Sequence, residues 1–518
     1  MASNDQLTPA SPATALRRPT FGHLPPELVS CIVLQLCQDE SLSTHYLLTL
    51  SVSRYLHRCL HQYALCRPIL VNIFMGSWFI SHPNACEKLR FLKIWPQNSR
   101  EAQLFGDLLN LSRNIKALEM SWDPKWPHEY ILELPKHLQH TLITLSLNMC
   151  PGVDGEATTR SFEKLFETLQ HCKELKNLYI DSEAVDSEDV KLPRNGKLEA
   201  QLRTFSLNTS PSLSFTSYFS NNVGCLVSIS LTEDSFDFDP GNEYLGGEEL
   251  RNFVNACAKT LEALELWVSC CTNLTEMPRL RWLKLRYIGP KAAGNFHDIV
   301  PAIKRSTKLA YIALHMLEPG INWSDESPLL GVESASFDEC SKVLQYFESY
   351  FAPNNIRSLA LTDVDETEAS ECITLLRPHL RRLKIDYLTA SICAAIATCI
   401  YLLAVEFESM APRFFDVLDS HPGEWELVRY IFLECGYISE TAFKHLLGAQ
   451  KNGLFPSLKG IYSWQEDLEE FCEKIEARDF EFSSCEKRYQ HWMKEVQSRL
   501  RFTFTEPMFG AEDFLAGF

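Results

Sequence analysis

A triplet spaced as apolar-x-x-apolar-x-apolar returns along most of the chain. It reads Leu89/Leu92/Ile94, Ile115/Leu118/Met120, Leu142/Leu145/Leu147, Leu175/Leu178/Ile180 and Leu202/Phe205/Leu207. It continues through Leu226/Ile229/Leu231, Leu261/Leu264/Leu266, Leu280/Leu283/Leu285 and Leu309/Ile312/Leu314. The last copies are Ile356/Leu359/Leu361, Leu380/Leu383/Ile385, Leu402/Val405/Phe407 and Val428/Ile431/Leu433, with Leu458/Ile461 as a degraded end. Thirteen steps from Leu89 to Leu458 cover 369 residues, a mean of about 28, with single steps from 19 to 47. Alternation inside each triplet predicts a short strand with its apolar side chains on one face. The text between triplets is helix-like: Phe162, Leu165, Phe166 and Leu169 share a face, as do Val343, Leu344 and Phe347. One strand and one helix cannot bury an apolar face alone, so such units must stack.

These residues resemble the leucine-rich repeat family over about 85–465, and the copy Leu142/Leu145/Leu147 also carries that family's Cys, as Cys150. The resemblance implies an α/β fold: a leucine-rich-repeat solenoid with parallel strands on the concave face and helices on the convex face. Residues 466–518 are expected to be a helical C-terminal cap and tail, because Ser463-x-x-Glu466 and Ser483-x-x-Glu486 have capping-box spacing. Phe502, Phe504, Phe509, Phe514 and Phe518 make the tail aromatic, which favours its packing back onto the array.

Residues 1–20, rich in Ser, Thr, Pro and Ala, are expected to be a disordered leader. Two prolines then precede an apolar stripe, the signature of a helix start: Leu24-Pro25-Pro26-Glu27-Leu28, followed by Ile32 and Leu36. A second apolar segment runs from Tyr46 through Leu50, Val52, Ser53 and Arg54. Two or three short helices carry more apolar surface than they can hide, so they either cap the repeats or offer a patch to a partner. With its LPPEL opening and closing Val-Ser-Arg, the segment 21–65 resembles the F-box motif, departing from it in a longer loop at 37–45. That resemblance implies a helical module binding a Skp-type adaptor and, through it, a cullin–RING scaffold. Leu24, Pro25, Pro26, Glu27, Leu28, Ile32, Leu36, Leu50 and Val52 would form or support the adaptor surface.

Composition narrows the picture. The 518 residues hold 49 Lys+Arg against 67 Asp+Glu, a net charge of −18, which disfavours nucleic-acid binding. Residues 1–100 hold nine basic and five acidic residues, leaving 40 and 62 (−22) for 101–518. The 18 cysteines include no CxxC pair and are expected to be reduced intracellular thiols used as small hydrophobes. The uncharged stretch from Leu388 to Val405 predicts a buried helix and a strand rather than a membrane span. No secretory signal opens the chain, so the protein is expected to be cytoplasmic and/or nuclear.

Catalytic motifs such as HExxH, GxSxG, GxGxxG and GxxxxGK[ST] are missing from the sequence. His57 and His61 are expected to face solvent, and Cys270–Cys271 to pack after a strand. The chain is therefore expected to be a non-enzyme with no cofactor, no metal site and no membrane attachment. Four acidic runs, Asp181 to Asp189, Glu233 to Glu249, Asp325 to Glu339 and Asp363 to Glu371, contain no Lys or Arg. Three begin just past a strand anchor, which would gather them on one edge of a stack. Asp181, Asp234, Asp363, Asp365 and Glu366 are thus candidates for holding a protein substrate with a basic segment. The 47-residue step from Leu309 to Ile356 reads as an inserted loop and a second recognition candidate. Together these features point to the substrate-recognition subunit of an SCF-type cullin–RING E3 ligase, serving ubiquitination and proteasomal degradation. The alternative is a non-ligase leucine-rich-repeat scaffold holding a stable partner.

Overall fold

The protein is described by a computed structural model. It describes residues 70–122, 134–149, 165–182, 197–208, 218–232, 247–268, 274–287, 294–320, 328–407, 428–433, 460–463 and 481–484, apart from positions 72, 88, 97 and 429. Residues 1–69 form one unit and 70–518 a second, and the described residues all belong to the second.

Seventeen strands form one sheet, and every pairing in it is parallel. In pairing order they are β1 (Leu70–Val71), β2 (Phe91–Ile94), β3 (Ala117–Trp122), β4 (Thr144–Met149), β5 (Asn177–Ser182) and β6 (Thr204–Asn208). Then come β7 (Ser228–Thr232), β8 (Ala263–Val268), β9 (Trp282–Tyr287), β11 (Tyr311–His315), β13 (Ser334–Asp338) and β14 (Ser358–Thr362). The series ends with β15 (Arg382–Ile385), β16 (Ala404–Phe407), β17 (Tyr430–Leu433), β18 (Gly460–Ser463) and β19 (Glu481–Ser484). A small second sheet pairs β10 (Gly294–Asn295) with β12 (Leu317–Glu318), also in parallel. Each strand pairs with the one before and after it in the repeat series, the topology of a solenoid.

The register explains why the triplets recur. Leu118 pairs with Leu145 and Leu145 with Leu178, then Phe205, Ile229, Leu264 and Leu283 follow in line. Two positions on, Met120, Leu147, Ile180, Leu207, Leu231, Leu266 and Leu285 form a second line. These side chains are at most 4% exposed, so each repeat's apolar face is covered by its neighbours. The first apolar position of each triplet, such as Leu89, Leu142 or Leu309, is buried just before its strand.

One repeat was hidden in the long step. Between Leu309 and Ile356 the chain forms β13, where buried Val332 just before the strand and buried Ala335 and Phe337 within it hold the triplet positions. The 47-residue interval is therefore two ordinary steps of 23 and 24, and the expectation of an inserted loop is corrected. The copy is hard to see in the sequence because Ala335 stands where other repeats carry a large apolar residue. It also supplies a Cys at the family spacing: the Cys340 thiol donates to the Leu314 carbonyl of the preceding repeat at 3.2 Å. Burial pushes that thiol up to about 12.

The return segments vary more than the periodicity predicts. Helices Ser99–Leu111, Gly247–Cys257, Glu366–Leu376 and Ala390–Ala397 span about two to three and a half turns, while others are single turns such as Lys136–Gln139 and Val300–Ile303. Leu165, Phe166 and Leu169 are buried as expected. In helix Val343–Ser349 the inward face is Val343, Tyr346 and Phe347, with Leu344 only half-buried. Its rings meet the strand side chain Phe337 at centroid distances of 5.1 and 5.6 Å, joining helix to sheet. Gly76 of the helix Ile73–Ser81 lies against the Leu104 side chain of Ser99–Leu111, so a Cβ there would require that leucine to shift.

The uncharged stretch forms the helix Ala390–Ala397 and strand β16, as its pattern predicts, and no described helix is long and apolar enough to cross a membrane. Seven of the eight described free cysteines are buried, in line with their use as small hydrophobes. The expected C-terminal cap needs one correction. Glu481–Ser484 is a strand continuing the parallel ladder, so Ser483 sits within β19 rather than capping a helix. The polar–apolar–polar order of Glu481-Phe482-Ser483 suits a strand as readily as a helix start. The helical cap and tail expected over 464–480 and 485–518 lie outside the described residues.

Candidate functional site

The strand residues that alternate with the buried lines form a row on the opposite sheet face. In register it reads Lys93, Glu119, Ser146, Tyr179, Ser206, Ser230, Glu265 and Lys284, then Ala313, Ser336, Ala360, Lys384 and Glu406. Charges on it pair across adjacent strands: Lys93 with Glu119 at 2.9 Å, Lys284 with Glu265 at 3.2 Å, and Lys384 with Glu406 at 3.5 Å. The Ser230 hydroxyl donates to the second Glu265 oxygen at 2.6 Å. Two residues before Lys284, Trp282 stacks on Tyr311 with ring centroids 5.3 Å apart. Small residues and internally neutralised pairs dominate this face.

Past the strand C-termini the chain turns sharply at equivalent places. Met316, Glu339 and Asp363 occupy one ladder position after β11, β13 and β14, and all have positive φ (53°, 48° and 50°). Their N–H groups reach across to the next repeat: Met316 to the Asp338 carbonyl (2.9 Å), Glu339 to the Thr362 carbonyl (3.0 Å), and Asp363 to the Asp386 carboxylate. Interrepeat hydrogen bonds thus offset the steric cost of left-handed backbone at residues that carry a Cβ.

The buried imidazole of His315 lies at this edge. Its Nδ1 contacts the Asp338 carboxylate, and its Nε2 lies 3.7 Å from a Glu339 oxygen. Potential ligand atoms of these three residues fall within 4.8 Å of one another. The carboxylates flank opposite ring nitrogens: Nδ1 is hydrogen-bonded to Asp338, while Nε2 makes no hydrogen bond. Asp338 and Glu339 close the third acidic run, and only the register of β11 with β13 brings them to a histidine 23 residues away.

The predicted acidic residues have distinct placements. Asp181 is the penultimate residue of β5, in register with Asn148 and Asn208 and half-buried, whereas Asp363, Asp365 and Glu366 are exposed. Asp365 caps the helix Glu366–Leu376, accepting from the N–H groups of Thr367 (2.9 Å) and Glu368 (3.4 Å). Glu366 accepts the Ser391 hydroxyl at 2.6 Å, and hydrogen bonds from Ser391 and Thr389 hold its carboxyl below the usual value. Glu368, not among the candidates, caps helix Val343–Ser349. Glu366 and Glu368 thus tie one repeat to the next, while Asp365 acts within its own. Asp234 lies outside the described residues, as do Leu24, Pro25, Pro26, Glu27, Leu28, Ile32, Leu36, Leu50, Val52, His57, His61 and Cys270–Cys271.

The opposite edge carries the other sign. The residue before each strand joins a backbone ladder in which its carbonyl accepts N–H groups from the next repeat. Arg90, Lys116, Lys176, Arg203, Arg281, Arg357 and Arg381 occupy this ladder, against the acids Glu262 and Glu333. Sequence reading missed this row because its members lie outside the apolar triplet. The signal was present immediately before the strands, in pairs such as Arg281-Trp282 and Arg357-Ser358.

No family model matches the chain, and no curated protein matches it. Among solved structures, a similar chain belongs to the crystal structure of the Rad7 and Elc1 complex in yeast. It shares 15% sequence identity at a TM-score of 0.35, covering 76% of this chain and 83% of that one. Likeness at that level carries no functional argument.

Proposed function

We propose that this chain is the substrate-recognition subunit of an SCF-type cullin–RING ubiquitin ligase. In this reading the N-terminal module around Leu24–Leu28 binds a Skp-type adaptor, and the repeats hold a protein substrate. The subunit performs no bond chemistry of its own; it raises the effective concentration of a substrate lysine near the charged conjugating enzyme. The observation that carries the receptor half is the parallel ladder of seventeen strands, with a row of basic residues ahead of the strands and the acids Glu339, Asp363 and Asp365 past the ends of β13 and β14. Such a surface is long enough to meet an extended protein segment. The adaptor half rests on the resemblance of residues 21–65 to the F-box motif.

Co-purification tests it. Full-length protein expressed with a Skp-type adaptor and cullin is expected to retain both, and Leu28→Asp with Ile32→Asp to lose both while the thermal melt of the repeats is unchanged. Adaptor recovered only at background from the unaltered chain would overturn the ligase reading in favour of a non-ligase scaffold.

A further inference from the structure

The basic edge deepens into a cleft of about 990 Å³ where β8, β9, β11, β13 and β14 begin. Arg279, Arg281, Lys308 and Arg357 line it, with Glu262 and Glu333 as its acids, so its formal charge is +2 in a chain of −18. We infer that this cleft is an anion site that captures a protein segment carrying phosphate or clustered carboxylates.

Three features favour that occupant. First, the cations are positioned by the repeat itself. The Arg281 carbonyl accepts the N–H groups of Ala310 (2.8 Å) and Tyr311 (3.1 Å), and the Arg357 carbonyl those of Arg381 (2.8 Å) and Arg382 (3.1 Å). Arg281 and Arg357 stand three ladder steps apart, about 14 Å at the usual strand spacing, a span that fits a short extended segment. These bonds fix the backbone at both arginines, the Arg357 guanidinium donates to the Asn354 carbonyl at 2.7 Å, and guanidinium groups suit bidentate contact with phosphate or carboxylate oxygens.

Second, the cleft lining contains one close approach of backbone to backbone. A Cβ on Gly331 would come within 2.8 Å of the Leu309 carbonyl oxygen and 2.9 Å of that of Thr307. Glycine lets the backbone run deep there, between the exposed Lys308 and the Asn355 side chain, which donates to the Leu330 carbonyl at 2.7 Å.

Third, the charge pattern selects against a long polyanion. Glu262 and Glu333 interrupt the row, so it lacks the continuous run of cations that an extended phosphate backbone would need. A few oxyanions on a peptide match the cleft better than a nucleic acid does. As a statement of substrate class this rests on the receptor reading above. The peptide measurement needs no adaptor, so the two readings fail separately.

The test uses purified full-length chain and fluorescein-labelled peptides of four Gly-phosphoserine repeats, four Gly-Glu repeats and four Gly-Ser repeats, read by fluorescence anisotropy. The phosphoserine peptide is expected to bind with an affinity that falls as salt rises, and the Gly-Ser peptide not to bind. Comparable binding of the Gly-Glu peptide would assign the anion to carboxylates, and its absence to phosphate. Arg279→Glu with Lys308→Glu, both exposed positions, should weaken binding about tenfold or more, whereas Lys116→Glu, on the same row outside the cleft, should not. Arg357→Lys should lose part of the affinity with an unchanged melt. Equal binding by the double variant, no binding at low salt, or an oligothymidylate bound as tightly with the same variant dependence would each overturn the inference.

Discussion

The carboxylate of Glu368 accepts the backbone N–H of Val343 at 2.8 Å and that of Lys342 at 3.1 Å, capping a helix that lies one repeat earlier. Helix Val343–Ser349 receives no cap from its own N-cap side chain, because Lys342 has a left-handed backbone and no acceptor. The orphan donors of one unit are thus satisfied by the next. Glu368→Ala is expected to lower stability by about 1–2 kcal/mol, in the range of a lost helix cap, with Glu368→Gln retaining part of it. Chemical denaturation followed by circular dichroism checks this, and a midpoint unchanged in Glu368→Ala would show that the cap adds nothing to stability.

The repeat built on β13 makes a sharper prediction. Phe337 is fully buried and meets Tyr346, Phe347 and Phe351. Phe337→Ala should cost about 3–5 kcal/mol, as expected for an aromatic side chain removed from a packed core. A loss within about 0.5 kcal/mol, the usual effect of a surface change, would restore the inserted-loop reading of this interval.

On the sheet face, Glu265 is held between Ser230 and Lys284, with side-chain exposures of 4% for the glutamate and 17% for the lysine. Lys284→Met strands a buried carboxylate and should cost about 3 kcal/mol. Adding Glu265→Leu should recover much of that loss, because two apolar groups replace a charged pair whose desolvation is unfavourable. A double-mutant cycle by denaturant unfolding gives the coupling, and strictly additive losses would show that the pair does not act as one.

Glu366 predicts the direction of a pH effect. Hydrogen bonds from Ser391 and then Thr389 lower its pKa below the ordinary 4.5 in the folded chain. A depressed folded value means that its contribution is present above the unfolded pKa and lost as the pH falls through the folded one. The Glu366 carboxyl carbon, followed by NMR, should titrate below 4.5, and Ser391→Ala should move that midpoint upward. An unmoved midpoint would exclude the hydrogen bond as its cause.

Both recognition candidates read from the sequence change meaning in the structure. The acidic run at Asp363 to Glu371 sits on an edge as expected, yet Asp365 and Glu368 commit their carboxylates to helix caps and Glu366 to Ser391. A charge-reversal of Asp363, Asp365 and Glu366 therefore disturbs repeat stacking as well as any contact at that edge. Charge counts along a chain report sign, but they cannot report which backbone donors lie 25 residues away.

The repeat, its strands and their buried faces were legible in the order of residues, because burial on a pleated strand imposes a two-residue alternation that Leu, Ile, Val and Phe record directly. The sign of the loops after the strands was legible there too. Folding in three dimensions settled what each ladder brings together: His315 beside Asp338 and Glu339, Glu368 on another repeat's helix, and a basic row ahead of the strands. Those neighbours are one repeat apart in space and 23 to 26 residues apart in sequence. Their meeting depends on the register of parallel strands, which a linear pattern of residue types does not encode.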